Sequence, residues 1–165
     1  MTAETRRSVT IEWSDPLPLA EAGRSMSGIE FLRAIRDRRL PAPPIARLLG
    51  FDLVEVDTGY AVFEVVPAEL HYNPIGVVHG GLAMTLLDSA MGCAVQTHMP
   101  AGSGYTTLEA KTNLVRAITA DTGKLRAIGR TLHVGKRMAT AEGRLEDAAG
   151  KLYAHSSTTC IVLSG

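Results

Sequence analysis

The sequence predicts an α+β domain in which an antiparallel β-sheet wraps around one long, buried α-helix. The stretch from about Gly81 to about Gln96 is small or apolar at nearly every position, and a helix that is apolar on all sides belongs in a core. Short runs of β-branched and aromatic residues, separated by turn residues, flank this stretch on both sides. Two strands, the helix and four further strands in hairpin succession form the pattern, and a sheet with one apolar face can bury the helix without a second helical layer.

Residues 1–44 are predicted to be an N-terminal arm that contains one short amphipathic helix. Residues 1–26 are polar and show no periodicity, which favours a loose segment with at most a short strand at 8–13. Ser27 and Glu30 then form a capping box that starts the amphipathic helix. The arginines on its polar face are expected to be solvated, the alternative being contact with the phosphates of a coenzyme.

Residues 45–165 are predicted to form the α+β domain itself. A short helix at 45–49 is closed by Gly50, and Gly59 belongs to the hairpin turn between the first two strands. The alternation of polar and apolar residues and the turn signals between them indicate six strands. They are predicted at 51–56, 60–66, 107–114, 124–134, 138–146 and 152–162.

The composition excludes several classes of function. The chain has 165 residues and a formal net charge of zero, which argues against binding nucleic acid or anionic membranes through bulk charge. The first residues contain no apolar run of signal-peptide length, and the two cysteines make neither a disulfide framework nor a metal motif. We therefore expect a cytoplasmic protein without metal or cofactor.

The apolar helix contains one charged residue, Asp88, and begins near Gly80 and Gly81. Backbone N–H groups at a helix start lack intrahelical partners and can hold an anion or an oxyanion. Asp88 lies eight residues beyond Gly80, roughly 12 Å along an α-helix, so one chain cannot bring both groups to the same carbonyl. Two such helices packed antiparallel about a two-fold axis would bring Gly80 of one chain to Asp88 of the other.

These residues resemble a known family. Asn73-Pro74, His79-Gly80-Gly81 and Asp88, followed by Thr107 to Lys111, are similar to the PaaI-type acyl-CoA thioesterases of the hotdog superfamily, and the resemblance runs from about Ile45 to Leu163. It implies the hotdog fold, hydrolysis of acyl-CoA thioesters with aromatic or medium-chain acyl groups, and sheets joined edge to edge in a dimer that is often paired again as a tetramer.

The resemblance also implies roles for individual residues. Asp88 is expected to be the general base or the nucleophile, and the Gly80 N–H of the partner subunit the oxyanion donor. Asn73 is expected to position water or substrate, with an Asx turn as its structural alternative. His79 is expected either to orient the loop and polarise the carbonyl or to cap the helix.

Gly81 and Thr107 complete the predicted site as substrate-binding residues. Each has a structural alternative, because Gly81 can simply allow tight packing at the helix start and a strand threonine needs no special role. Basic residues at Arg116, Lys136 and Arg137 are available for the phosphates of coenzyme A.

Two other functions stay open from the sequence. One is a non-catalytic module that binds acyl-CoA, against which the presence of Asp88 counts. The other is a hotdog hydratase, but enzymes of that kind pair an acidic residue with a histidine that is often five residues further on, where this chain has Cys93.

Overall fold

The computed structural model of the chain describes residues 6–163, so residues 1–5 of the predicted arm and residues 164–165 lie outside it. Six antiparallel strands form one sheet in the order β1-β2-β4-β5-β6-β3. The strands are β1 Phe51–Asp57, β2 Tyr60–Val65, β3 Gly104–Leu114, β4 Leu125–Val134, β5 Met138–Asp147 and β6 Leu152–Leu163. The helices are α1 Pro16–Ser25, α2 Gly28–Arg36, α3 Pro44–Leu49 and α4 Gly80–Gln96.

The predicted arrangement of a sheet around a long helix is confirmed. Helix α4 packs across one face of the sheet, and Leu86, Leu87 and Met91 are fully buried there. The helix approaches β4 closely at Gly129, where an added Cβ atom would lie 2.2 Å from the carbonyl oxygen of Ala90. None of the helices within residues 6–163 is long and apolar enough to cross a membrane.

The prediction that the last four strands follow one another as hairpins is wrong for the first of them. Strand β3 does not pair with β4; it lies at the far edge of the sheet, antiparallel to β6. Its following loop is held by hydrogen bonds from the N–H groups of Val115 and Arg116 to the carbonyl of Tyr153. The chain then crosses to the other side of the sheet, where β4 pairs with β2. Turn residues marked the break after β3, but they carry no information about strand order.

The burial of α4 is also different from the prediction of a helix covered on all sides. One stripe of α4 is not covered by the sheet, and both Met84 and Asp88 are exposed on it. Strand β3, beside this stripe, has no strand on its outer edge within residues 6–163. The exposure of the apolar Met84 side chain therefore has no explanation inside the single chain.

The N-terminal arm contains more structure than the sequence predicted. Residues 6–15 form no strand, so the short strand at 8–13 is wrong, and helix α1 follows directly. Asp15 starts α1 by accepting a hydrogen bond from the N–H of Leu17 at 2.9 Å. Prolines at the first turn do not oppose a helix, because the N–H groups there lack partners anyway.

The second half of the arm contains the predicted helix, but the predicted capping box is not formed, because the Ser27 side chain makes no hydrogen bond to the helix backbone. Ser27 is the N-cap of α2, its hydroxyl donates to a carboxylate oxygen of Glu30 at 2.5 Å, and Gly28 donates its N–H to the carbonyl of Met99 at 2.9 Å. Arg33 and Arg36 lie in partly exposed ion pairs with neighbouring aspartates. The hydrogen bond of Gly28 holds the start of α2 against the segment that follows α4.

Candidate functional site

Asp88 is positioned by the third turn of α4 and contacts the edge strand. Its carboxylate oxygen Oδ1 accepts a hydrogen bond from the hydroxyl of Thr107 at 2.9 Å. The carboxylate is otherwise exposed on the uncovered stripe of the helix. The structure therefore brings together two of the predicted site residues that are 19 positions apart in the chain.

A β-bulge at Leu108 makes this contact possible. The pairing of β3 with β6 shifts register between Thr107 and Glu109, so that Leu108 has no partner on β6. Strict alternation would put Thr107 and Leu114 on opposite faces of the strand. Because the extra residue changes the phase of the alternation, Thr107 reaches Asp88 while Leu114 lies over Gly80 on the same side.

The surroundings of Asp88 raise the pKa of two nearby thiols and one phenol. Loss of contact with water, together with the negative charge of Asp88, raises the pKa of the Cys93 thiol to about 12. Burial raises the pKa of the Tyr105 phenol well above its usual value, and the adjacent Cys93 and Asp88 act in the same direction. Burial also raises the pKa of the Cys160 thiol. A thiolate nucleophile is therefore disfavoured here, and the carboxylate is the available reactive group.

The two glycines at the start of α4 differ in their hydrogen bonds. The N–H of Gly81 donates to Nδ1 of His79 at 2.9 Å, so His79 is the N-cap of the helix. The N–H of Gly80 meets no acceptor within residues 6–163. Since it lies at the positive end of the helix dipole, it is a donor ready for an anion or a carbonyl oxygen.

His79 caps the helix with a neutral ring. Because Nδ1 accepts a hydrogen bond, the ring proton is on Nε2 in this arrangement. The N–H of His79 donates to the carbonyl of His71 at 2.8 Å, which fixes the entry to the helix. His79 therefore caps the helix, which was one of its two expected roles. The cap uses Nδ1 only, so the Nε2–H group takes no part in it.

Asn73 shapes the loop before α4. Its Oδ1 accepts hydrogen bonds from the N–H of Ile75 at 3.1 Å and of Val77 at 3.3 Å, which is the Asx turn that was the structural alternative for this residue. Gly76 allows the loop to close with a φ of 79°. The side-chain oxygen of Asn73 is thus bound within its own loop. Its N–H₂ group makes no hydrogen bond within residues 6–163.

Asn73 and Gly80 line the same cleft, whereas Asp88 lies outside it. The cleft has a volume of 290 Å³ and also contacts Leu114 and Arg116. Arg116 is an available cation at this cleft, although its Nε already donates to the carbonyl of Leu152 at 3.3 Å. A single chain therefore presents two separated parts of the predicted site, about 12 Å apart along the helix.

Two residues of this region were missed in the sequence. Leu114 covers Gly80 so closely that an added Cβ atom would lie 2.4 Å from its Cδ1. The hydroxyl of Tyr105 lies against Gly92 of α4, 2.2 Å from the position of an added Cβ. Glycines at positions 80 and 92 of an otherwise helix-forming segment were the available signal, because glycine inside a helix has a cost that close packing can explain.

Comparison with known proteins identifies similar chains. The family model described as "thioesterase superfamily" matches residues 75–154. A 1,4-dihydroxy-2-naphthoyl-CoA hydrolase of Listeria monocytogenes is 26% identical over 114 residues, which cover 69% of this chain and 91% of that protein.

Two solved structures are similar in both sequence and fold. A conserved protein of Pseudomonas aeruginosa is 33% identical with a TM-score of 0.69, and the match covers 78% of this chain and 98% of that one. A phenylacetic acid degradation-related protein of Ralstonia eutropha is 27% identical with a TM-score of 0.71, over 79% of this chain and 98% of that one.

Proposed function

We propose a specific reaction for this chain from the premise that it belongs to the thioesterase superfamily and is a thioester hydrolase with the hotdog fold. The proposed substrate is an acyl-CoA with an aromatic or medium-chain acyl group, and the products are the free acid and coenzyme A. Two of the similar proteins support the aromatic class, because one is named for a naphthoyl-CoA and the other for phenylacetic acid degradation.

The proposed reactive group is the carboxylate of Asp88. As a general base, it takes a proton from water while the water oxygen attacks the thioester carbonyl. As a nucleophile, it attacks the carbonyl itself and forms an anhydride that water then hydrolyses. In either case the tetrahedral intermediate collapses with loss of the coenzyme A thiolate. The exposed carboxylate and its hydrogen bond from Thr107 at 2.9 Å support the assignment.

The proposed oxyanion donor is the N–H of Gly80 in a second copy of the chain. The observation that carries the proposal is that Asp88 is exposed on the stripe of α4 that the sheet leaves uncovered, while the Gly80 N–H, about two turns away, meets no acceptor within residues 6–163. Antiparallel packing of two α4 helices across a two-fold axis joins each carboxylate to the other helix start and forms two equal sites. The carbonyl oxygen then receives a hydrogen bond at the positive end of a helix dipole.

The remaining predicted residues have supporting roles in this proposal. His79 holds the helix start in place, and its Nε2–H is available to the substrate. Asn73 contributes its free N–H₂ group to the cleft that contains Gly80. Gly81 has no side chain and so permits close approach of the acyl-CoA substrate. Thr107 orients the Asp88 carboxylate. The active form is a homodimer or a dimer of dimers, in the cytoplasm.

The decisive experiment compares wild type with Asp88→Asn, which keeps the shape of the side chain and removes its charge. Thiol release is measured from a panel of aryl-CoA and straight-chain acyl-CoA esters. We expect wild type to hydrolyse members of the panel and Asp88→Asn to be slower by about 10²-fold or more, the range typical for loss of a general base. The panel also identifies the preferred acyl group.

Asp52→Asn is the matched control, because Asp52 is an exposed carboxylate in β1, far from α4 in the sequence. It should retain wild-type rates, and circular dichroism and gel filtration should show both variants folded with the same oligomeric state. Equal rates for wild type and Asp88→Asn would contradict the assignment of the carboxylate. Binding of acyl-CoA without any hydrolysis would instead favour a binding module.

A further inference from the structure

A cavity of 420 Å³ lies where the connection from α2 to α3 passes over the start of β1. Phe51 and Phe63 form its floor, with ring centroids 5.6 Å apart in an edge-to-face arrangement, and Leu40 and Pro43 contribute to its walls. Its volume is in the range of about 300 to 1,000 Å³ found for sites that bind small molecules. All residues of the cavity precede the part of the chain that the thioesterase model matches, so the proposed hydrolysis does not explain it.

The charged residues of the cavity are mainly arginines. Arg36, Arg38 and Arg47 line it together with a single carboxylate, Asp52. Arg36 is paired with Asp37 at 2.8 Å. Neither Arg38 nor Arg47 makes a side-chain hydrogen bond or ion pair within residues 6–163. Two guanidinium groups are therefore free to bind an anion beside an apolar floor.

The backbone of Arg38 is the unusual feature of this cavity. Helix α2 ends in a Schellman motif, in which the N–H of Arg38 donates to the carbonyl of Ile35 and the N–H of Arg39 to that of Ala34. Arg38 occupies the left-handed position of this motif with a φ of 59°, and it is the one non-glycine residue with positive φ in the described residues. Glycine is preferred at this position because it has no Cβ. An arginine there suggests that its side chain contributes something other than stability.

We propose that this cavity is a binding site for a small organic carboxylate, whose apolar body contacts Phe51 and Phe63 and whose charge is bound by Arg38 and Arg47. The planar guanidinium group matches a carboxylate through two parallel hydrogen bonds. The apolar floor disfavours an inorganic anion, which would have to give up its water without gaining apolar contacts. This site is separate from the proposed hydrolytic site, and its test does not depend on catalysis.

The chain contains a natural reporter for this cavity. Its single tryptophan, Trp13, lines an adjoining recess that shares Pro41, Ala42 and Arg47 with the cavity. Trp13 is exposed, so its fluorescence responds to changes in polarity and contact there. A carboxylate bound at the hydrolytic site would leave Arg38 and this reporter unaffected.

The test is a titration of the full chain with hexanoate, followed by Trp13 fluorescence and by calorimetry. Inorganic phosphate is the probe for charge alone, and 1-hexanol is the probe for apolar contact alone. We expect saturable binding of hexanoate and binding of either control at least about tenfold weaker, because each lacks one of the two contacts.

Arg38→Gly is the diagnostic variant, because glycine suits the left-handed position and the midpoint of unfolding should stay equal or rise. Its hexanoate affinity should fall by about tenfold or more, the effect of losing a charged hydrogen-bond partner. Arg39→Ala removes a charge from the same turn but not from the cavity, and should bind as wild type does. Arg47→Gln gives a second, independent loss of affinity.

Unchanged hexanoate affinity in both Arg38→Gly and Arg47→Gln would overturn the proposal. So would 1-hexanol binding as tightly as hexanoate, or the absence of any saturable binding by either method. Thiol release from acyl-CoA should be the same in Arg38→Gly and wild type, so failure of this site and failure of the proposed hydrolysis are distinguishable.

Discussion

The hydroxyl of Thr107 donates a hydrogen bond to the carboxylate of Asp88 at 2.9 Å, across the contact between the edge strand and the central helix. The β-bulge at Leu108 sets the phase of β3 so that this hydroxyl faces the helix and Leu114 still covers Gly80. The edge strand therefore controls both parts of the proposed site, the carboxylate at one end and the helix start at the other.

We expect Thr107→Val to lower kcat by about tenfold, because the variant keeps the branched shape and loses the hydrogen bond that orients the Asp88 carboxylate. Thr107→Ser retains the hydroxyl and should keep most of the activity. Steady-state thiol release with each variant gives the comparison. If valine and serine give the same rate, the hydroxyl does not orient the carboxylate.

The second prediction concerns the N–H of Gly80. Proline is tolerated at the first position of a helix, and His79 before it already has the extended conformation that proline requires, with φ −62° and ψ 132°. Gly80→Pro therefore removes the N–H, while Gly80→Ala keeps it and has the same Cβ conflict with Leu114. We expect proline to lower kcat by about 10²- to 10³-fold relative to alanine, as for loss of an oxyanion donor.

A mixing experiment tests whether the site is shared between subunits. Asp88→Asn and Gly80→Pro chains, each inactive alone, are unfolded together and refolded as a mixture. A heterodimer then contains one intact site and one doubly altered site, so we expect about a quarter of wild-type activity from random pairing. No recovery, with heterodimers verified by mass, would mean that both groups act within one chain.

Two substitutions separate the two roles of His79. His79→Ala removes the acceptor for the Gly81 N–H and should lower the free energy of unfolding by about 1 kcal/mol. Asparagine is a good N-cap, so His79→Asn should restore the stability measured by urea unfolding. Recovery of kcat together with stability would assign His79 to capping alone, whereas recovery of stability without kcat would assign its Nε2–H to the substrate.

Two glycines of the sheet test how tightly α4 packs against it. Gly129 and Gly143 are opposite each other in β4 and β5. A Cβ at Gly129 would meet the backbone of Ala90 at 2.2 Å, whereas one at Gly143 would meet the side chains of Leu87 and Met91 at 3.0 Å. Gly129→Ala should lower the free energy of unfolding by about 3 kcal/mol or more, and Gly143→Ala by about 1 kcal/mol or less. If urea unfolding gives the same loss of unfolding free energy for both variants, α4 can move away from β4 and the close contact at Gly129 does not fix its position.

Local patterns were sufficient to predict most of the elements. The polar and apolar alternation gave the strands nearly to their ends, and the apolar run gave α4 from Gly80 or Gly81 to Gln96. Helix α1 was missed because residues 1–26 were considered polar and without periodicity, although Asp15 followed by Pro16 is a normal helix start. The start signal was present in the sequence, and the missing periodicity outweighed it.

The order of the strands and the bulge at Leu108 could not be predicted in this way. Pairing of β3 with β6 joins residues about 50 positions apart, and its energy comes from the completed sheet rather than from any local preference. The contact of Thr107 with Asp88 depends on the bulge, so spacing alone would not establish it. The family resemblance identified both residues as members of the site, and the residue pattern by itself did not.

The edge of β3 that pairs with no other strand within residues 6–163 affects how stability is measured. Along its eleven residues, the outward-facing backbone groups must be satisfied by water or by another strand, and exposed Leu108 adjoins them. If a second copy occupies this edge, folding and association are a single equilibrium, and its midpoint obeys mass action. The melting temperature of the wild-type chain should then rise with each tenfold increase in protein concentration, which is a property that a sheet without a partner would not have.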